Sequence, residues 1–329
     1  MVLFKPMLAK PISKPFSNDD WIFEIKWDGF RAIAYVDDRF SLKSRNGNEL
    51  KDNFPELGEL KYLARNVVVD GEIVILRQGK VDFHSLQERG HVISAREIER
   101  QRRETPATYV VFDILEKDGT PLVELPLIER KKILKESVKE SPNIVINDYV
   151  EGKGEQFYKA ILQQDMEGMV AKKKNSSYEQ GLRTGSWLKI KNLKSCDCVI
   201  FGYSKGEGAR EVSFGALVVG LYDNDGTPQY LAHVGTGFTQ ILLESLMKEL
   251  QHLKTEAAPF KVPSMERVTW VKPKLVCEVI YQIVTRDCRL RMPRLYRLRE
   301  DKLPAECTVD QIQGNGKCFS SQKKLTTNV

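Results

Sequence analysis

The six cysteines contain no C-x-x-C pair and only four histidines are scattered along the chain, so the ligand spacings of a zinc site are missing. The tightest cysteine spacing, Cys196-Asp197-Cys198, would on an alternating strand point both thiols to one face, which reads as packing rather than ligation. Reduced thiols suit a cytosolic protein. No apolar run approaches the roughly 18 residues of a membrane span. Met1 to Lys10 also lacks the apolar core of a signal peptide. A cytoplasmic protein without a membrane partner is the expectation. Internal repeats are absent too, which removes solenoid architectures.

What is present is ordinary in bulk. Hydrophobic residues make up 41% of the 329 and charged residues 29%, a globular composition with room for about two domains. Lys and Arg exceed Asp and Glu by 51 to 45, a net charge of +6. That excess permits a polyanionic partner without demanding one.

The first two-thirds read as short strands with inserted helices. Trp21 to Lys26, Phe30 to Val36 and Arg39 to Ser44 suggest consecutive antiparallel strands. Val67 to Leu76 and Thr108 to Leu115 suit buried strands. Helices are expected over Ser94 to Glu104 (charged and solvated), Leu127 to Glu140 with Ile128, Ile133, Leu134 and Val138 on one face, and Glu155 to Asp165. A boundary falls near Asn192 to Ser195. Beyond it, strands at Val199–Ser204, Phe214–Tyr222, Tyr230–Val234, Val268–Val271 and Leu275–Thr285 surround one amphipathic helix, Gln240–Leu253. That pattern suits a small barrel. Gln311 to Val329 is polar and aperiodic, expected as a flexible tail.

Chemistry concentrates in a few strings. In Glu24-Ile25-Lys26-Trp27-Asp28-Gly29-Phe30-Arg31, a lysine between apolar neighbours precedes a turn and a permanent cation. A free lysine, with pKa about 10.4, is protonated and inert at neutral pH; burial or a nearby cation frees the lone pair. Ser44-Arg45-Asn46-Gly47 offers a cation at a turn, and Asp70-Gly71-Glu72 puts carboxylates inside an apolar strand, where an unpaired charge is costly. Phe112 could stack on a base, although alone it reads as core. Glu167 stands just before an apolar strand, placed to hold a hard cation. Lys189 and Lys191 share one strand face, where they repel unless an anion lies between them.

In this order the strings resemble the motifs of the covalent nucleotidyltransferase superfamily: K-x-D-G-x-R, S-R-N-G, D-G-E, Y-x-x-F-D-I-L, E-G-M-V-A-K and W-L-K-I-K. Asp82 to Arg89 resembles a segment common in ATP-dependent DNA ligases, and Leu290 to Lys302 resembles motif VI of the ligase OB domain. Pro6-Met7-Leu8-Ala9, Gly202 to Arg210, Phe214 to Leu217 and His233 to Phe238 are most similar to the ligase domain of bacterial ligase D and its small standalone relatives. The chain has no room for an upstream DNA-encircling helical domain, so a standalone catalytic core is the expectation.

The resemblance implies an α+β fold: a nucleotidyltransferase (adenylation) domain of antiparallel sheets with flanking helices over 1–192, an OB-fold β-barrel over 193–310, and a tail over 311–329. It implies an ATP-dependent DNA ligase in repair or end joining, with ATP as AMP donor and Mg²⁺, or alternatively Mn²⁺, as metal. Lys26 would carry AMP. Glu24 and Phe112 would contact adenine, and Arg31, Arg45 and Glu72 the ribose, phosphate or nick. Arg183, Lys189 and Lys191 would meet the nucleotide phosphates. Glu167 would hold the metal, with Glu72 a second candidate, and Arg299, Asp301 and Lys302 would orient pyrophosphate. Implied partners are nicked or broken duplex DNA and a Ku-type end-binding protein, with the enzyme itself a monomer. An RNA ligase, a GTP-dependent capping enzyme and an inactive DNA-end-binding module are the competing readings.

Overall fold

The computed structural model describes residues 3–92, 94–263, 267–285 and 287–315. The chain divides into two compact units, Met1–Asn192 and Leu193–Val329. No helix among the described residues is long and apolar enough to cross a membrane.

Two sheets build the first unit. One runs in the order Leu8–Pro11, Arg183–Lys191, Gly168–Lys173, Asn18–Ile25, Tyr149–Gly152. The other is centred on Phe30–Val36, Val67–Arg77 and Ala107–Lys117, with Phe40–Ser44 outside them. Strand alternation sorts their side chains by face. Ala32, Ala34 and Val36 pack with Phe54, Leu60 and Leu134 on the helical side of the second sheet. Ile33, Tyr35 and Phe112 instead meet Met7 and Trp187 of the first sheet. The outer face of the first sheet, with Phe23, Met169 and Ile190, is covered by Ile161 of the helix Gly154–Gln163.

This arrangement corrects one expectation. Phe30–Val36 does pair with Phe40–Ser44, but Asn18–Ile25 belongs to the other sheet, between Gly168–Lys173 and Tyr149–Gly152. The chain changes sheets over Lys26–Gly29. Gly29 permits the crossing, since a Cβ there would lie 2.2 Å from the Ile73 carbonyl oxygen.

Other boundaries shift for local reasons. The helix Leu127–Ser137 stops where Val138 bridges Ala64. Its buried residues are Leu127, Arg130, Lys131 and Leu134; of the expected face, Leu134 and Val138 are buried and Ile133 packs against the same core, while Ile128 does not join it. Arg130 is tolerated there because Asp113 accepts from its Nε at 2.8 Å and its Nη2 at 2.9 Å. Ala95–Glu104 buries no residue, and its Arg100, Arg102 and Arg103 pair with Glu97, Glu99 and Glu104 on the same helix.

In the second unit, the sheet runs Pro228–Val234, Phe214–Tyr222, Lys194–Lys205, Val276–Tyr281, Arg294–Leu298. It curls until Leu295 N donates to Thr236 O at 2.9 Å, which brings its two ends together as an OB-fold barrel. Leu243, Leu246 and Leu250 of the helix Gln240–His252 fill its core. Leu275 to Thr285 is not one strand: Ile283–Val284 leaves the sheet to pair with Leu290–Arg291. Cys196 and Cys198 pack in the core with their sulfurs 3.5 Å apart. Gln311 is not loose either. Val309–Asn315 is a 3₁₀ turn, and the Gln311 side chain accepts from Asp197 N at 2.9 Å and donates to Asp197 O at 3.1 Å. The rest of the expected tail, 316–329, lies outside the described residues.

Candidate active site

A cavity of about 200 Å³ opens between the two sheets of the first unit. The alternation that sends Phe23, Ala171 and Ile190 outward turns Glu24, Lys172 and Lys189 inward. Among its walls are Lys26, Arg31, Arg45, Glu72, Phe112 and Arg183. Eight of the residues expected to handle the nucleotide, Glu24 and Lys189 included, therefore reach one cavity.

Lys26 follows directly on the Asn18–Ile25 strand, and its N–H donates to Gly168 O at 3.0 Å, so its backbone is held like a strand residue. Its ammonium lies 2.6 Å from Glu167 Oε2, and Lys191 lies 3.4 Å from Glu167 Oε1. Lys191 thus reaches the site through Glu167. Gly168 must be glycine: its φ is +150°, and a Cβ would lie 2.1 Å from Ile190 O. Burial pushes the Glu72 carboxyl up to about 7, against the pull of Arg31 and Lys26 and with the help of Asp70 and Glu167. Two carboxylates thus converge beside the lysine, and a cation there would favour the ionised form of Glu72.

Glu24 is buried between two lysines. Lys131 closes on its Oε1, Lys172 Nζ lies 2.7 Å from its Oε2, and Asn147 Nδ2 donates to Oε2 at 3.1 Å. The lysine contacts are ion pairs made off the hydrogen-bond directions. Glu24 Oε1, Lys172 Nζ and Trp187 Nε1 are left as buried polar atoms without a hydrogen bond, all on residues lining this cavity. Glu24 Oε1 and Lys172 Nζ have charged partners in these ion pairs, so of the three Trp187 Nε1 alone stands without a polar partner, and it marks a place for a hydrogen-bond acceptor. Phe112 stands beside them with Arg31 over its ring at 4.5 Å and Lys172 at 4.3 Å. It is therefore both core and cavity wall.

Arg31 is oriented by Asp70, which accepts from Nε at 2.6 Å and from Nη2 at 2.5 Å. Tyr178 donates to the same carboxylate at 2.5 Å and accepts from Met7 N at 3.0 Å. Arg183 Nη1 donates to Ala9 O at 2.6 Å. Burial, then Arg183, Lys26 and Lys191 nearby, lower the Lys189 ammonium below its ordinary value; an anion in the cavity would offset both effects.

Sequence reasoning missed Asp70, Lys131, Asn147, Lys172 and Tyr178 as site residues. Lys131 had a signal: it falls on the Leu127–Leu134 helix stripe, where a lysine needs a buried partner. Within the Asp82–Arg89 segment, the arginine has a structural role. Arg89 is wholly buried and donates to Glu56 at 2.6 Å, to Thr105 O at 2.9 Å and to Asn53 O at 3.2 Å. Arg299, Asp301 and Lys302 lie in the second unit, where Asp197 accepts from Arg299 at 2.8 Å and from Lys302 at 2.7 Å.

Comparison with known proteins agrees with this geometry. Residues 6–191 match the model of the ATP dependent DNA ligase domain, and residues 210–302 match that of the ATP dependent DNA ligase C terminal region. The multifunctional non-homologous end joining protein LigD of Mycolicibacterium smegmatis is 36% identical over 312 residues, 92% of this chain and 39% of its own length. The chain thus spans about two-fifths of that relative. DNA ligase C1 of the same organism is 32% identical over 333 residues, covering 94% of this chain and 93% of its own. The crystal structure of the ligase domain from M. tuberculosis LigD superposes with a TM-score of 0.52 at 31% identity, covering 93% of this chain and 98% of that one. The chain belongs to the ATP-dependent DNA ligases.

Proposed function

We propose that this protein seals 3′-hydroxyl/5′-phosphate breaks in duplex DNA, through a lysyl-AMP and then an adenylated-DNA intermediate. The observation that carries the reading is the placement of Lys26 in a cavity walled by Arg31, Arg45, Glu72, Arg183 and Lys189, a set of charges suited to a nucleotide. In the first step Lys26 Nζ forms a bond to the ATP α-phosphorus, the bond to the bridging oxygen breaks, and pyrophosphate leaves while the amine gives up its proton. AMP then passes to a 5′-phosphate at the break. Attack by the 3′-hydroxyl releases AMP and closes the strand. Splitting the reaction in this way converts a poor leaving oxygen into a good one.

The residues divide the work by position. Glu24 and Lys172, already paired with each other, present their remaining hydrogen-bonding capacity to adenine beside the Phe112 ring. Arg45, Arg183 and Lys189 meet phosphates, with Lys191 acting through Glu167. Arg31, fixed by Asp70 and Tyr178, faces ribose, phosphate or the nick. Glu167 keeps the Lys26 amine in place. Glu167 and Glu72 suit Mg²⁺ or Mn²⁺, since both are hard oxygen donors and the raised Glu72 gains from a cation. Such an ion would supply charge neutralisation at the phosphates. Arg299, Asp301 and Lys302 orient pyrophosphate in the first step. The similarity to the end-joining LigD proteins supports a role in DNA repair or end joining; broken duplex DNA and a Ku-type protein are proposed in addition as partners, with a monomeric enzyme and a cytoplasmic setting.

Incubation with α-labelled ATP or GTP tests the reading. Label should attach covalently from ATP alone and vanish in Lys26→Ala and in Lys26→Arg, whose side chain stays protonated. Adduct formation by Lys26→Ala would place the nucleophile elsewhere. Nicked duplexes of DNA and of RNA then separate DNA ligase from RNA ligase.

A further inference from the structure

Asp197 is the fourth residue of the Lys194–Lys205 strand, and its neighbours Cys196 and Cys198 point into the barrel core. Alternation therefore turns its carboxylate away from that core, yet the carboxylate is only 12% exposed, because two cations cover it. Arg299 Nη1 donates to Oδ1 at 2.8 Å and Lys302 Nζ to Oδ2 at 2.7 Å. One carboxylate thus holds two cations side by side, one on each oxygen. The backbone beneath is clasped as well, since the Gln311 amide bonds both Asp197 N and Asp197 O.

Pairing across the sheet makes this placement costly. Asp197 lies directly opposite Glu278, and like charges so placed repel. Each carboxylate is compensated from the neighbouring strand or its continuation, Glu278 by Arg297 at 2.8 Å and Asp197 by Arg299. Charge compensation alone would need one arginine for each carboxylate. Asp197 takes a lysine as well.

The donors left over say what the second cation is for. Arg299 has five N–H donors; Nε and Nη2 meet Asp301 at 2.8 and 2.9 Å, and Nη1 meets Asp197. One hydrogen remains on each Nη, and two remain on the Lys302 ammonium. Their side chains are 18% and 21% exposed, so those donors are open to an incoming group. Asp301 is 68% exposed. An arriving anion can displace Asp301 while Asp197 stays. Adjacent, partly desolvated donors of this kind match the several oxygens of a phosphate chain.

We infer that Asp197 is a positioning residue, which brackets Arg299 and Lys302 into one anion-binding pair for the pyrophosphate end of ATP. This rests on the role proposed above for Arg299, Asp301 and Lys302. Asp301 is then the exchangeable counter-charge and Asp197 the permanent one.

The full-length chain tests this through two single-turnover rates: lysyl-AMP formation from ATP over a concentration series, and sealing of a pre-adenylated nick, which releases no pyrophosphate. Asp197→Asn keeps the size and loses the charge. It should lower the maximal rate of adenylation by about ten- to a hundredfold, as misplaced orienting groups do. The ATP concentration for half-maximal rate and the sealing rate should each move by less than about threefold. Asp197→Glu should recover part of the adenylation rate. Adding Asp197→Asn to Arg299→Ala should cost less than Asp197→Asn does alone, since Lys302 is then the one cation left to misplace.

The failures are distinguishable. Should Arg299→Ala cripple adenylation while Asp197→Asn does not, the bracket is refuted and the underlying reading stands. If Arg299→Ala itself adenylates normally, the underlying reading falls and takes the bracket with it. Equal loss in both steps with a lowered unfolding temperature, in Asp197→Asn and Asp197→Glu alike, would make Asp197 a structural residue only and overturn the inference.

Discussion

Replacing Glu24 with glutamine should strand two buried cations, and the size of the effect follows from the site. The side chains of Glu24, Lys131 and Lys172 are 2%, 3% and 2% exposed. Taking the charge from a buried pair costs about 3–5 kcal/mol, because the partner remains desolvated and uncompensated. Against a domain stability of about 5–15 kcal/mol that is a large fraction. The variant has one route of relief, the loss of a proton from Lys172. Burial already lowers that ammonium from 10.5 to about 8 in the intact site, with Glu24 pulling upward and Lys131 downward. Without Glu24 it moves lower still.

The sign of the pH dependence follows. A lysine with a depressed folded pKa binds its proton more tightly when unfolded, so folded stability rises with pH between the folded and unfolded values. In the intact protein that rise runs from about 8 to 10.5. In Glu24→Gln it begins at lower pH, so the deficit should be largest near pH 6. The deficit should shrink as pH approaches about 8 and hold constant above that.

Denaturant unfolding at a series of pH values measures this. Trp21, Trp27 and Trp187 lie in the first unit and Trp270 in the second, so fluorescence in a Trp270→Phe background follows the first unit alone. Adding Lys172→Met should recover roughly half of the loss, since an apolar side chain removes the stranded charge. A Glu24→Gln deficit under about 1 kcal/mol at pH 6, the worth of a surface pair, would refute the reasoning.

Phe112→Ala and Glu167→Ala should fail differently. The first removes a stacking surface worth about 1–3 kcal/mol and should be rescued by high ATP, whereas the second removes the group at Lys26 Nζ and should depress turnover even at saturating ATP. Rescue of Glu167→Ala by ATP, with Phe112→Ala unmoved, would reverse the two assignments. Glu72 supplies a pH test: a carboxyl held at about 7 by burial must ionise to receive a cation, so adenylation should climb with pH through that value. Raising Mg²⁺ should move the rise to lower pH, and Glu72→Gln should abolish it; a rise unchanged in Glu72→Gln belongs to another group.

The site was legible in the sequence where its chemistry needs uncommon residue types at strand spacing. Trp187 and Lys189 reach the cavity because alternate residues of one strand share a face, and the intervening Leu188 and the next residue, Ile190, face the covering helix. Pairing was less legible. Asn18–Ile25 and Phe30–Val36 look like a hairpin because a short break separates two apolar runs, but period-two alternation specifies a face and not a neighbour. Their true neighbours, Gly168–Lys173 and Val67–Arg77, lie far along the chain. Buried cations were poorly legible for a related reason. The sequence around Arg89, Arg130 and Lys131 does not show what they pair with, because each carboxylate that permits their burial, on Glu56, Asp113 or Glu24, comes from another segment.

The Gln311 turn is the hardest case of this kind. Its residues are polar and carry no period, and the composition of such a stretch is that of a frayed end. What holds it is a side-chain amide read by backbone groups of Asp197, and backbone groups have no sequence signature. A tail and a clasp can therefore share one composition, and only the partner distinguishes them. Here that partner is the residue that brackets Arg299 and Lys302, so the segment least marked by its sequence is tied to the one with the most charge to place.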